Sequence, residues 1–115
     1  MRVLLAVCFA IAMNAIACAQ TAMMKGAGSG SCAQYAEAYR SAPDETDNFF
    51  LSWALGYMSG INSLNKDVFF DLNSMTLDEM KRSLWQYCDA HPSADYGDGV
   101  KDLLNKLPVH QRDKK

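Results

Sequence analysis

An all-α fold, a small single-domain bundle of about four helices tied by one disulfide, is predicted by three observations. Apolar residues recur at three- and four-residue intervals in several stretches, and none alternates in the two-residue period of a strand. Capping residues and prolines stand where such stretches begin and end. Once an N-terminal export segment is set aside, Cys32 and Cys88 are the remaining cysteines of a short chain.

The export segment is read from Met1 and Arg2 followed by Val3–Ile16, a short apolar run that carries no charge and ends at Ala17-Cys18-Ala19. A basic tip, an apolar stretch and small residues at a cleavage position are the pattern of a secretory signal, so residues 1–19 are expected to be removed before Gln20. The run is shorter than the about 20 apolar residues of a membrane span, so no stable span is expected. An alternative start is Cys18 as the lipid-bearing residue of a degenerate lipoprotein box, Ala15-Ile16-Ala17-Cys18. Export places the chain in the periplasm or outside the cell. Two cysteines in a small domain of an oxidising space pair as a disulfide, with two free buried thiols as the alternative. No Cys-x-x-Cys spacing supports a redox pair.

Residues 20–31, with Gly26, Gly28 and Gly30 among small residues, read as a flexible leader. Ser31 is a helix cap, and the first helix runs from Cys32 to Arg40 before Ser41-Ala42-Pro43 ends it, with Cys32, Tyr35 and Tyr39 along one stripe. The acidic stretch Asp44 to Asp47 precedes a second helix over Phe49–Leu64, apolar on most sides and therefore expected at the centre. Ser52, Gly56, Gly60 and Ser63 form a small-residue groove on it, expected to let a neighbouring element of the same chain approach closely, with a binding groove as the alternative. Asn62–Ser74 reads as a connector that buries some aromatic surface and includes a short helical turn. Thr76-Leu77-Asp78-Glu79 is a capping box for a third helix with Leu77, Met80, Leu84, Tyr87 and Cys88 on its buried stripe. Pro92 closes it. Ser93 is the expected cap of a fourth helix whose inner face is Tyr96, Val100, Leu103, Leu104 and Leu107. The helical domain thus spans 32–107, and 108–115 reads as a polar tail.

Composition narrows function. Arg2 is the only charged residue before Gln20, so its removal takes the formal charge from −2 to −3, and the basic residues that cluster are Arg112, Lys114 and Lys115 of the tail. Nucleic-acid binding, which needs a basic stripe, is disfavoured. Cys88 and His91 have the spacing of a metal half-site, but four ligands are not at hand and the other histidine, His110, is in the tail, so no metal or cofactor is expected. His91 before Pro92 reads as a helix-end residue. Asp95 and Asp98 read as acidic residues favouring a helix start rather than as a catalytic pair. A nucleophile elbow, a calcium loop and a phosphate-binding glycine run are all missing from the sequence. The expectation is a chain that is not an enzyme and that binds another protein; a cryptic hydrolase is the last alternative.

Trp53-Ala54-Leu55-Gly56-Tyr57-Met58-Ser59-Gly60 and Tyr87-Cys88-Asp89-Ala90-His91-Pro92, in an exported chain with a cysteine near its start, resemble two groups of small periplasmic helical proteins. One is the HdeA/HdeB acid-stress chaperone family. The other is the resistance-associated, Tai-like immunity family that neutralises type VI secretion amidases. Similarity to the second implies an inhibitor that binds a toxin enzyme; similarity to the first implies a chaperone that holds unfolded clients after its dimer dissociates in acid. Gly56, Tyr57, Gly60, His91 and Pro92 match the immunity group better, so inhibition is the expectation and the chaperone the alternative, with a homodimer left open. The expected partner-binding residues are Trp53, Gly56, Tyr57, Gly60 and His91, Trp53 and Tyr57 being aromatic anchors of the kind that dominate interfaces, with packing in the core as the alternative for both.

Overall fold

Ser31 opens the first helix through a reciprocal cap: its hydroxyl accepts the Gln34 N–H at 3.1 Å, and the Gln34 side chain accepts the Ser31 N–H at 2.9 Å. The computed structural model describes residues 24–114, so the expected signal peptide and Cys18 lie outside the described residues. Helix α1 covers Cys32–Ser41, and Ala42 alone separates it from α2, Pro43–Leu64. The second helix therefore starts six residues before the expected Phe49. Pro43 does not merely end α1: it occupies the first position of α2, where its missing N–H is no loss and its fixed φ suits a helix. Asp44 and Glu45 consequently lie inside the first turn, against the positive end of the helix dipole.

Helix α3, Leu77–Ala90, begins with the expected capping box, in which the Thr76 hydroxyl accepts the Glu79 N–H and the Glu79 carboxylate accepts the Thr76 N–H at 2.7 Å. Met80, Leu84 and Cys88 are buried on its inner stripe. Leu77, expected there too, is 53% exposed because the helix starts with it and no element covers that end. Helix α4 is Tyr96–Lys106 and buries the expected Tyr96, Val100, Leu103 and Leu104, with Leu107 following. Its cap position is Asp95, not Ser93, and makes no side-chain cap bond. The chain is already held there by backbone: Ser31 and Asp95 form an isolated bridge, and the Tyr96 N–H donates to Gly30 C=O at 2.8 Å.

The four helices meet in an aromatic core. Tyr35 of α1 lies 4.9 Å from Phe50 of α2, 5.8 Å from Trp85 of α3 and 5.1 Å from Tyr96 of α4, measured between ring centres. Burial raises the pKa of both tyrosine hydroxyls, and the Asp47 carboxylate adds to the effect, so both stay neutral. Cys32 and Cys88 are joined as a disulfide with Cα atoms 4.8 Å apart, 56 residues apart in sequence. Directly beside it, the α3–α4 loop accepts the free N–H groups of the start of α1: Cys32 donates to Ala94 C=O at 2.8 Å and Ala33 to Pro92 C=O at 3.0 Å.

Two expected irregular segments are structured. The 26–31 part of the expected flexible leader forms a 3-10 turn at Gly26–Ser29 that packs on α2 and α4, with Ala27 and Gly28 buried. The expected polar tail contains a strand, β2 (Val109–Gln111), antiparallel to β1 (Val68–Phe70), with Phe69 opposite His110. Two-residue alternation is too brief in either three-residue strand to read as one. The Phe70 N–H and C=O, turned away from β2, bond to the side chain of Asn62 at 2.8 and 2.9 Å, so this asparagine acts as a substitute for a neighbouring strand. Arg112 then donates from Nε to Asn65 C=O at 3.0 Å and from Nη2 to Asn62 C=O, placing a cation on the last carbonyls of α2. The expected short helical turn is present at Leu72–Ser74.

Reducing the disulfide is expected to lower stability by about 4 kcal/mol, read as a shift in the urea midpoint of oxidised against reduced protein. The Glu79 carboxyl is held below its ordinary value of 4.5 by the Thr76 N–H first, then by the Thr76 hydroxyl and the nearby Arg82 charge. Its contribution is therefore complete above the ordinary value and lost as pH falls through the folded one. Between about pH 6 and pH 3 the urea midpoint of Glu79→Gln should fall less than that of the wild type.

Candidate binding surface

Helix α2 buries one side and leaves the other to solvent. Leu51, Ala54 and Met58 are buried with Phe50 toward the core, whereas Ser52, Gly56, Ser59, Gly60 and Ser63 are exposed. Among the described residues, a Cβ built on Gly56 or on Gly60 would meet nothing within 4 Å. Among the described residues no element packs into the small-residue groove, where a neighbouring element was expected: the helix turns it away from the core. Phe49 is 62% and Leu64 84% exposed, so the helix is not buried on most sides. The two residues bracket the small-residue floor, about 22 Å apart along the helix.

Trp53 and Tyr57 form one wall of this strip. Their rings stack 5.3 Å apart at 14°, and the Trp53 indole N–H donates to Lys25 C=O at 2.9 Å. The Gly26–Ser29 turn lies against the indole so closely that a Cβ at Gly28 would stand 2.0 Å from a ring carbon. Trp53 is therefore fixed by Tyr57 and by this turn, and presents only part of its surface. Gly28 is explained by that contact, and Gly26, at φ 83°, by a left-handed backbone conformation that glycine favours.

His91 stands elsewhere. It follows α3, its exposed ring stacks on Tyr87 with centres 4.3 Å apart, and its Nδ1 is 2.9 Å from Tyr87 C=O. The structure thus brings Trp53, Gly56, Tyr57 and Gly60 together on α2 and leaves His91 on another element, beside the loop that caps α1. Asp98 pairs with Lys101 at 3.2 Å on the surface of α4. Among the described residues no three His, Cys, Asp or Glu side chains are grouped closely enough to hold a metal ion, and no helix is long and apolar enough to cross a membrane.

Phe49 and Leu64 are the site residues that sequence reasoning assigned to the core. They lie seven residues before Gly56 and four after Gly60, hence on nearly the same helical line as the glycines, which was the available signal. No protein-family model matches the chain, and neither does a curated protein or a solved structure.

The two sorts of glycine should respond oppositely. Gly28→Ala is expected to destabilise by about 1–3 kcal/mol through overpacking against Trp53 and to shift tryptophan emission. Gly56→Ala, with open space around the new methyl, should stabilise by up to about 1 kcal/mol through helix propensity. Thermal melts of the two variants check both signs.

Proposed function

We propose that this chain is an exported, non-catalytic binding module that neutralises another protein, and that the partner seats on the outer face of α2. The observation that carries this reading is the strip from Phe49 to Leu64. Each of its two glycines costs up to about 1 kcal/mol of helix propensity, and no contact among the described residues requires either one. A flat floor between two exposed large apolar side chains has the form of a seat for a helix or loop, with small residues permitting close backbone approach. Trp53 and Tyr57, already held in place, offer aromatic contact at little cost in side-chain entropy. The buried disulfide supports the oxidising location. The similarity to the Tai-like immunity group supplies the inhibitory sense, with a toxin enzyme as the partner.

The test is isothermal titration at neutral pH of the chain from Gln20 onward against the exported enzyme encoded beside its gene, together with that enzyme's activity. Wild type should bind and inhibit. Gly56→Leu and Gly60→Leu, which project into solvent and spare the core, should each weaken binding at least about tenfold, or 1.4 kcal/mol, while melting no lower than wild type. Undiminished affinity in both variants would remove the α2 face from the interface. Suppression of client aggregation confined to below about pH 4, where carboxylates protonate, would replace inhibition by the chaperone reading.

A further inference from the structure

A concavity lies where α1, α2 and α3 meet. It has a volume of about 210 Å³ and is lined by Tyr35, Tyr39, Asp47, Lys81, Arg82 and Trp85. That is below the about 300 Å³ at which sites for drug-sized ligands begin, so an occupant has the size of an amino acid rather than of a nucleotide.

The chemistry of the lining is mixed in a specific way. Tyr39 and Trp85 have ring centres 4.9 Å apart and form an apolar wall. Asp47 accepts the hydroxyl of the buried Tyr35 on one carboxylate oxygen, Oδ1, at 3.4 Å. Lys81 and Arg82 border the same space from α3. Opposite charges this near commonly close on each other, yet none of these three takes part in an ion pair among the described residues. Arg82 also lies in the field of Glu79, one turn before it on the same helix. The carboxylate and the two cations thus border one hollow without filling it.

A simple anion entering this hollow would meet Asp47, and a simple cation would meet Lys81 and Arg82. A neutral apolar molecule would strip water from three charges without replacing their hydrogen bonds, which is costly. A molecule carrying both charges satisfies all three, because charge-assisted hydrogen bonds then form at each end. We propose that this cleft binds a zwitterion of amino-acid size, its ammonium on Asp47, its carboxylate on Lys81 and Arg82, and its apolar part against Trp85 and Tyr39. The ammonium also gains from the faces of the aromatic wall. The site is independent of the α2 face.

Titration of L-leucine into the protein, followed by the two tryptophan indole N–H signals in a nitrogen–proton correlation spectrum, tests this. The Trp85 signal should move saturably with half-saturation on the order of 1 mM, a modest affinity suited to so small a contact. The Trp53 signal, outside the cleft lining and fixed to Lys25 C=O, should stay in place and report an intact fold. N-acetyl-leucine, without the ammonium, and leucinamide, without the carboxylate, should each bind at least about tenfold more weakly. Asp47→Asn, which keeps an acceptor for Tyr35, should erase the preference for leucine over N-acetyl-leucine. The double change Lys81→Gln and Arg82→Gln should erase that over leucinamide. A Trp85 signal that does not move saturably, or analogues that bind as tightly as leucine, would overturn the proposal.

Discussion

The fold depends on one clamp, made where the N-terminus of α1 meets the end of α3. The buried Cys32–Cys88 bond fixes the two helices, and the loop between α3 and α4 turns its carbonyls onto Cys32 and Ala33. These contacts do separate things. The covalent link removes conformations from the unfolded chain, while the loop satisfies amide groups that every helix start leaves free. The bridge from Ser31 to Asp95 then sets where α4 begins, and Gly30 accepts its first amide. The His-Pro pair is part of this joint: the Pro92 carbonyl receives Ala33, and the His91 ring lies on Tyr87.

Glycines divide the remaining surface into what the fold needs and what it leaves free. Gly28 permits the contact with Trp53, and Gly97 lies so near that a Cβ there would be 2.8 Å from Gly28 C=O. Three segments distant in sequence, the Gly26–Ser29 turn, α2 and α4, are drawn together by these two absences of a side chain. Gly56 and Gly60 face no other described residue. Identical residues on a helix thus carry opposite meanings, and only the surroundings distinguish them. On the other side of α2, Phe50, Leu51, Ala54 and Met58 pack into the core without drawing on this face.

Much of the scaffold was legible in the sequence because its signals are local. Ser31 and the Thr76–Glu79 box announce helix starts by chemistry completed within four residues, and the spacing of Met80, Leu84 and Cys88 or of Val100, Leu103 and Leu104 states which side is buried. What was hidden depends on partners far along the chain. Pro43 can stop one helix or start another, and both occur here within a single step. Three glycines in twelve residues suggest a flexible leader until Trp53 is known to rest on one of them. The strands β1 and β2 are too short to show a period, and Arg112 reads as a tail charge until it is seen on the carbonyls of Asn62 and Asn65. For the candidate site, Gly56 and Gly60 stood out from their cost in a helix, but whether a neighbour occupied their side could not be read from spacing alone. The cleft beside Tyr35 joins residues of three helices and left no contiguous motif.

Hydrogen exchange at Cys32, Ala33 and Tyr96 measures the clamp directly, since these amides donate to Ala94, Pro92 and Gly30 across its parts. In the oxidised protein they should exchange only through global unfolding, at the slow rate of the buried amides of α4, and on reduction they should lose protection together. Rapid exchange at these three positions in the oxidised protein, or protection unchanged by reduction, would contradict the account.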